Sequence, residues 1–138
     1  MKKNLTGLGN SIMDESYLIV IPARGGSKRL RRKNVRLFSG KPLIAWTIEL
    51  GLKLSKKQNV IVSTEDLEIA EVAKEYGASI PFLRPMKLAN DNVSAVEVMK
   101  HVKLELNFNG LVILLQPTSP LRTLNDIKRG ISLINDKN

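Results

Sequence analysis

Between Arg24 and Arg36 the chain carries seven basic residues, Arg24, Lys28, Arg29, Arg31, Arg32, Lys33 and Arg36, and no acid. Cations crowded this way repel one another unless an anion sits among them. Gly25 and Gly26 fall inside the run. Lacking a Cβ, they let backbone N–H groups approach such an anion closely. The chemistry this suits is the holding of phosphates, although composition alone also allows a solvated basic loop or a nucleic-acid patch. What favours phosphates is the stretch just before, Tyr17 to Ile21, an apolar β-branched run that ends at Pro22 as a central strand of an α/β sheet would. Two better-known phosphate loops are excluded. There is no G-x-G-x-x-G, and Gly40-Lys41 is followed by Pro42 and lacks the glycine five residues earlier that a Walker A loop needs.

Other residues with chemical potential are few. Gln116-Pro117-Thr118-Ser119-Pro120 follows the apolar run Leu111 to Leu115. Its two prolines would present Gln116 from a rigid turn at a strand's carboxyl end, where open α/β sheets place their ligands. A mere strand exit explains it equally well. The lone His101 falls beside an apolar helical stripe near its polar edge, and a structural role outweighs a general-base role for an isolated histidine. Trp46 reads as a core residue rather than a stacking platform. Asp66 is explained by helix-start chemistry, so no metal ligands are assigned.

The elements that must position these residues alternate strand and helix. Pro42 suits a first helical turn, and Leu43 to Leu54 is apolar on most sides, as a buried helix would be. Asn59 to Val62 reads as a second strand. Ser63 or Thr64 then caps a helix marked by Ile69, Val72, Ala73 and Tyr76 and ended by Gly77, with Glu65 and Asp66 complementing its dipole. Ser79 to Leu83 reads as a third strand. Ala95, Val98, Met99, Val102 and Leu106 mark one face of the next helix. Leu111 to Leu115, with no polar residue, reads as a fourth strand, central and buried on both faces. Thr123 and Asp126 resemble a capping box before a last amphipathic helix through Leu124, Ile127, Ile131 and Ile134. The pattern predicts a three-layer α/β domain over 17–138 with a mainly parallel sheet, preceded by a loose polar tail over 1–16. In a parallel sheet the basic loop and the Gln116 turn leave one edge and face one cleft.

Composition sets the outer bounds. The chain has 138 residues, 43% of them hydrophobic, enough for one core. It contains no cysteine, which excludes disulfides and thiolate metal sites and fits a reducing, cytoplasmic setting. No apolar run approaches the ~20 residues needed to cross a bilayer, and Met1 to Ser16 lacks a signal peptide's apolar core. A net charge of +9 calls for an anionic partner, whereas 4% aromatics leave little for base stacking and disfavour nucleic acid.

The stretch IPARGGSKRLRRKN resembles the opening motif of the acylneuraminate cytidylyltransferases, the CMP-sialic acid synthetases, in the pattern P-A-R-x-x-S-K-x-(L/I)-x-x-K-N. IVSTED, FLRPMKLANDNVS and LLQPTSPLR resemble the family's later motifs in the same order and at similar spacing. The resemblance runs from about Tyr17 to the last residue. It implies a nucleotide-diphospho-sugar-transferase-like, Rossmann-like fold and transfer of CMP from CTP to a nine-carbon keto sugar acid, with magnesium required. Carried over position by position, it implies that Ala23, Arg24, Gly25, Lys28 and Lys33 hold the triphosphate, Arg24 and Lys33 as the catalytic cations, and that Asn34 contacts the nucleoside. It places Arg84 beside the cytosine with backbone near Val93 and Ala95, and Gln116 on the sugar acid. Gln116 within LQPTSPLR favours sialic acid over the KDO, legionaminic and pseudaminic acid branches. One departure is Arg31, where the family usually has proline. Family members also run well beyond this length and carry a pair of metal-binding aspartates and most dimer contacts in the further part. On that ground the chain is expected to be an amino-terminal portion of such an enzyme, weakly binding and poorly active by itself, without the family's homodimer.

Overall fold

The computed structural model describes residues 17–26 and 33–117. Strand β1, Tyr17–Pro22, is the centre of the described sheet, and its Leu18 to Ile21 are fully buried. It pairs in parallel with β4, Val60–Ser63, on one side and with β5, Leu111–Leu114, on the other, giving the order β4-β1-β5. Burial on both faces is why β1 reads as an unbroken apolar run rather than an alternating one.

The alternation of its side chains builds two cores. Ile19, Ile21 and Ala23 point to one face, where α1, Leu43–Leu54, and α2, Leu67–Glu75, contribute Ile44, Ile48, Leu54, Ile69 and Ala73. Leu18 and Val20 point to the other, where α3, Ala95–Glu105, brings Val102 against Ile61, with Phe82, Met99 and Phe108 packed alongside. A sheet between two helical faces is the expected three-layer α/β arrangement. A short antiparallel hairpin, β2 Leu37–Phe38 and β3 Lys41–Pro42, precedes α1. No helix among the described residues is long and apolar enough to cross a membrane.

Four sequence expectations about the fold need correction, the last of them a helix cap. Ser79 to Leu83 is not a strand: only Ser79 bridges to Ile61. Pro81 has no N–H to continue a ladder, and Phe82 instead packs edge-to-face on His101 beneath α3, the ring centroids 5.3 Å apart. β5 is not central among the described strands. It flanks β1, and its four residues are half-buried. Trp46 lies at the surface end of α1 rather than in the core. Its Nε1 donates to the Phe38 carbonyl at 2.8 Å, and Lys41 Nζ lies 4.2 Å from its ring centroid.

Helix ends follow local chemistry. Asp66, not Ser63 or Thr64, caps α2, its Oδ1 accepting from Ile69 N at 3.0 Å, and Gly77 follows the helix at φ +102° as a left-handed C-terminal glycine should. Ser94 and Glu97 form a reciprocal capping box at the start of α3. The tail over 1–16 and the helix expected after Thr123 lie outside the described residues.

Candidate functional site

Because β1, β4 and β5 are parallel, their carboxyl ends open on one edge. β1 leads there into Ala23-Arg24-Gly25, and β4 leads into Thr64-Glu65-Asp66. The two exits are tied together. Ala23 N donates to the Ser63 carbonyl at 2.9 Å, and Gly25 N donates to Glu65 Oε2 at 3.0 Å. Beyond β5, Leu115 N still donates to the Val20 carbonyl, so the register carries the exposed Gln116 to the level of Pro22.

The structure shows a packing reason for glycine at position 25. A Cβ there would come within 2.3 Å of Asp66 Oδ2 and 2.6 Å of Asp66 Cβ, so the backbone can pass the start of α2 only without a side chain. Its N–H, expected to face an anion, is given to a carboxylate of the protein itself. Asn34, in a short 3-10 turn over Lys33–Val35, reaches back and donates through Nδ2 to the Arg24 carbonyl at 3.2 Å. The residue is 2% exposed, and its Oδ1 has no partner among the described residues.

Among the described residues Arg84 is the most deeply set cation at this edge, 5% exposed. Its backbone N donates to the Thr64 carbonyl, Nε to Ser63 Oγ at 3.0 Å, Nη2 to the Ser63 carbonyl at 2.8 Å and Nη1 to the Leu88 carbonyl at 3.3 Å. Burial lowers its pKa from the ordinary arginine value, the Glu65 charge acts to raise it, and Arg24 acts to lower it. An arginine remains protonated through such a shift. Arg84 is therefore a positive charge braced by Ser63 and Leu88, within the field of Glu65 but not paired with it. Arg24, by contrast, reaches across the cleft and donates through Nη2 to Asp91 Oδ1 at 2.5 Å.

The structure thus brings Ala23, Arg24, Gly25, Asn34 and Arg84 to one sheet edge. Val93 and Ala95 follow two and four residues after Asp91, at the turn into α3. Lys28 and the side chain of Lys33 lie outside the described residues. Sequence reading missed Ser63, Glu65 and Asp91. Glu65 resembled a residue serving its own helix, and nothing local couples positions 24 and 91. The acids within an otherwise basic cleft were the only available signal. Among the described residues no group of three or more His, Cys, Asp or Glu side chains is arranged to hold a metal ion. Gly25, Ile69 and Arg24 each engage one oxygen of Glu65, Asp66 and Asp91, and Glu65 Oε1 is buried with no partner among the described residues. These residues do not by themselves fit a magnesium site, and no step below passes through one.

Comparison with known proteins identifies the family. A family model described as cytidylyltransferase matches residues 18–138. The CMP-N,N'-diacetyllegionaminic acid synthase of Legionella pneumophila subsp. pneumophila is 45% identical over 121 residues, covering 84% of this chain and 52% of that protein. The N-acylneuraminate cytidylyltransferase of Escherichia coli O18:K1:H7 is 40% identical over 121 residues, covering 88% of this chain and 29% of that protein. A solved CMP:2-keto-3-deoxy-manno-octonic acid synthetase complexed with CTP superposes with a TM-score of 0.71 at 27% identity, over 87% of this chain and 47% of that one. The chain therefore spans about half, or less, of the length of these relatives.

Proposed function

Because the chain belongs to the cytidylyltransferase family, we propose that it supplies the nucleotide-binding part of an enzyme that transfers CMP from CTP to a nine-carbon keto sugar acid. The observation that carries this reading is the meeting of Arg24, Asn34 and Arg84 at the carboxyl edge of a parallel sheet. In the reaction the sugar's anomeric oxygen attacks the α-phosphorus of CTP, its proton leaves, and the bond to the pyrophosphate oxygen breaks. Negative charge spreads over the phosphoryl oxygens, so rate comes from alignment and fixed cations rather than from a covalent nucleophile.

Arg24 and Lys33 would neutralise the triphosphate, with Lys28 assisting, while the Ala23 and Gly25 backbone shapes the loop. The unpartnered Oδ1 of Asn34 offers an acceptor for the nucleoside. Arg84 has already committed Nε, Nη1 and Nη2 to Ser63 and Leu88, so it would wall the cytosine site beside backbone at Val93 and Ala95. Gln116, at the third strand exit, would touch the sugar acid.

Within the substrate class we assign N-acetylneuraminate, on the Gln116 turn. N,N'-diacetyllegionaminate is the second reading, favoured by the 45% identity to a synthase named for it. Calorimetry decides both levels. CTP is expected to bind at least tenfold more tightly than ATP, and equal affinities would remove the base assignment of Arg84. Titrating N-acetylneuraminate, N,N'-diacetyllegionaminate, pseudaminate and KDO into the CDP-bound chain should rank N-acetylneuraminate first; another ranking transfers the assignment to the tightest acid.

A further inference from the structure

Resting on the reading of the Arg24 cleft as a triphosphate site, we propose that Asp91 is an internal stand-in for phosphate. It holds the Arg24 guanidinium across the cleft and yields it to the entering triphosphate. The two residues are 67 positions apart, Arg24 just after β1 and Asp91 in the loop before α3. Asp91 is presented by a local turn in which Asn90 Oδ1 accepts from Asn92 N at 2.8 Å and Val93 N donates to the Asn90 carbonyl. The carboxylate is thereby aimed by its own loop rather than carried there by a core contact.

The cleft holds a second carboxylate against a proposed phosphate donor, and the contrast between the two carries the inference. Glu65 accepts from Gly25 N at 3.0 Å and so ties the exit of β1 to that of β4, and displacing it would open that junction. Asp91 has no such duty. Its side chain is 53% exposed and that of Arg24 24% exposed, so water can replace either partner. An ion pair this accessible is weak. A triphosphate offers several charge-assisted contacts to the same guanidinium and wins the exchange. Asp91 also lies two residues before Val93, so releasing it frees the segment proposed to sit by the base. Phosphate arrival and base reading would be linked through this one contact.

Competition of this kind lowers apparent affinity by the strength of the pair it must break, a factor of about two to five for an exposed pair. The test is calorimetric titration of CTP, and separately of inorganic tripolyphosphate, into the purified chain and its Asp91→Asn, Arg24→Ala and doubly substituted variants. Asp91→Asn is expected to tighten both ligands about two- to fivefold, and that gain should vanish in the Arg24→Ala background. Unchanged or weakened binding in Asp91→Asn would overturn the proposal, as would the same gain in the Arg24→Ala background, which would mark a general field effect. A gain with CTP but not with tripolyphosphate would also overturn it, placing Asp91 at the nucleoside. Failure of the unsubstituted chain to bind either ligand would instead overturn the phosphate reading of the cleft, and the proposal with it.

Discussion

At the scale of single residues, the site balances two cations, Arg24 and Arg84, against two carboxylates, Glu65 and Asp91. Arg84 is buried and satisfied mainly by Ser63, through both its hydroxyl and its carbonyl. Arg84→Ala would strand that carbonyl and leave the Glu65 carboxylate without its nearby cation. A loss of about 2–4 kcal/mol in unfolding free energy is expected, measured by urea denaturation; a change below about 1 kcal/mol would show that Arg84 is not a brace. Gly25 is held by contact rather than by an unusual φ. Gly25→Ala must move either the loop or the first turn of α2, because the new methyl would meet Asp66 Cβ at 2.6 Å. Overpacking of this kind costs about 1–3 kcal/mol. Because the strain falls on the Arg24 loop, CTP affinity should fall together with stability. A variant as stable as the original chain, with unchanged CTP affinity, would contradict the close approach.

At the scale of elements, helix starts anchor the two walls of the cleft. Asp66 caps α2 and also packs on Gly25, whereas Ser94 caps α3 in a box with Glu97 that is exposed. Either cap should be worth about 0.5–2 kcal/mol when replaced by alanine. The two should differ in their second consequence. Asp66→Ala removes the side chain against which Gly25 is packed and should weaken CTP binding as well as stability, while Ser94→Ala should lower stability with little effect on Arg24. Thermal melts and CTP titrations run on both variants check this, and equal binding losses would mean that the caps act only through global stability.

At the scale of the whole molecule, the net charge of +9 acts on any anion, so affinity by itself does not separate a nucleotide from a polynucleotide. Salt does. Binding through many phosphates falls steeply with ionic strength, by about 10³ or more between 50 and 200 mM salt for a ligand held at six or more phosphates. CTP, with one triphosphate in a shaped cleft, is expected to lose less than about tenfold over that range. A mixed-sequence oligonucleotide that bound more tightly than CTP at the higher salt would favour the nucleic-acid patch instead.

How much of this was legible beforehand follows from which forces act locally. The apolar run at Tyr17, the 3.6-residue spacing of Ile69, Val72, Ala73 and Tyr76, the bounds of the Leu43–Leu54 helix and the glycine after α2 are local signals. They determined the α/β class and put the basic loop at a strand's end. What tertiary structure alone decided is who partners whom. Apolar content could not tell that β1, rather than β5, lies between two of the described strands, because both runs lack polar residues and periodicity is blind to pairing. Nor could it foresee that Pro81 and Phe82 turn away from the sheet, or that Trp46 covers a hairpin instead of filling the core. Arg24, Asn34 and Arg84 were legible as types in a motif. Their settings were not, because Ser63, Glu65 and Asp91 come from other strands and loops. A side chain's charge is written in the sequence, but its counter-charge is chosen by the fold, since Coulomb attraction depends on distance in space and not along the chain.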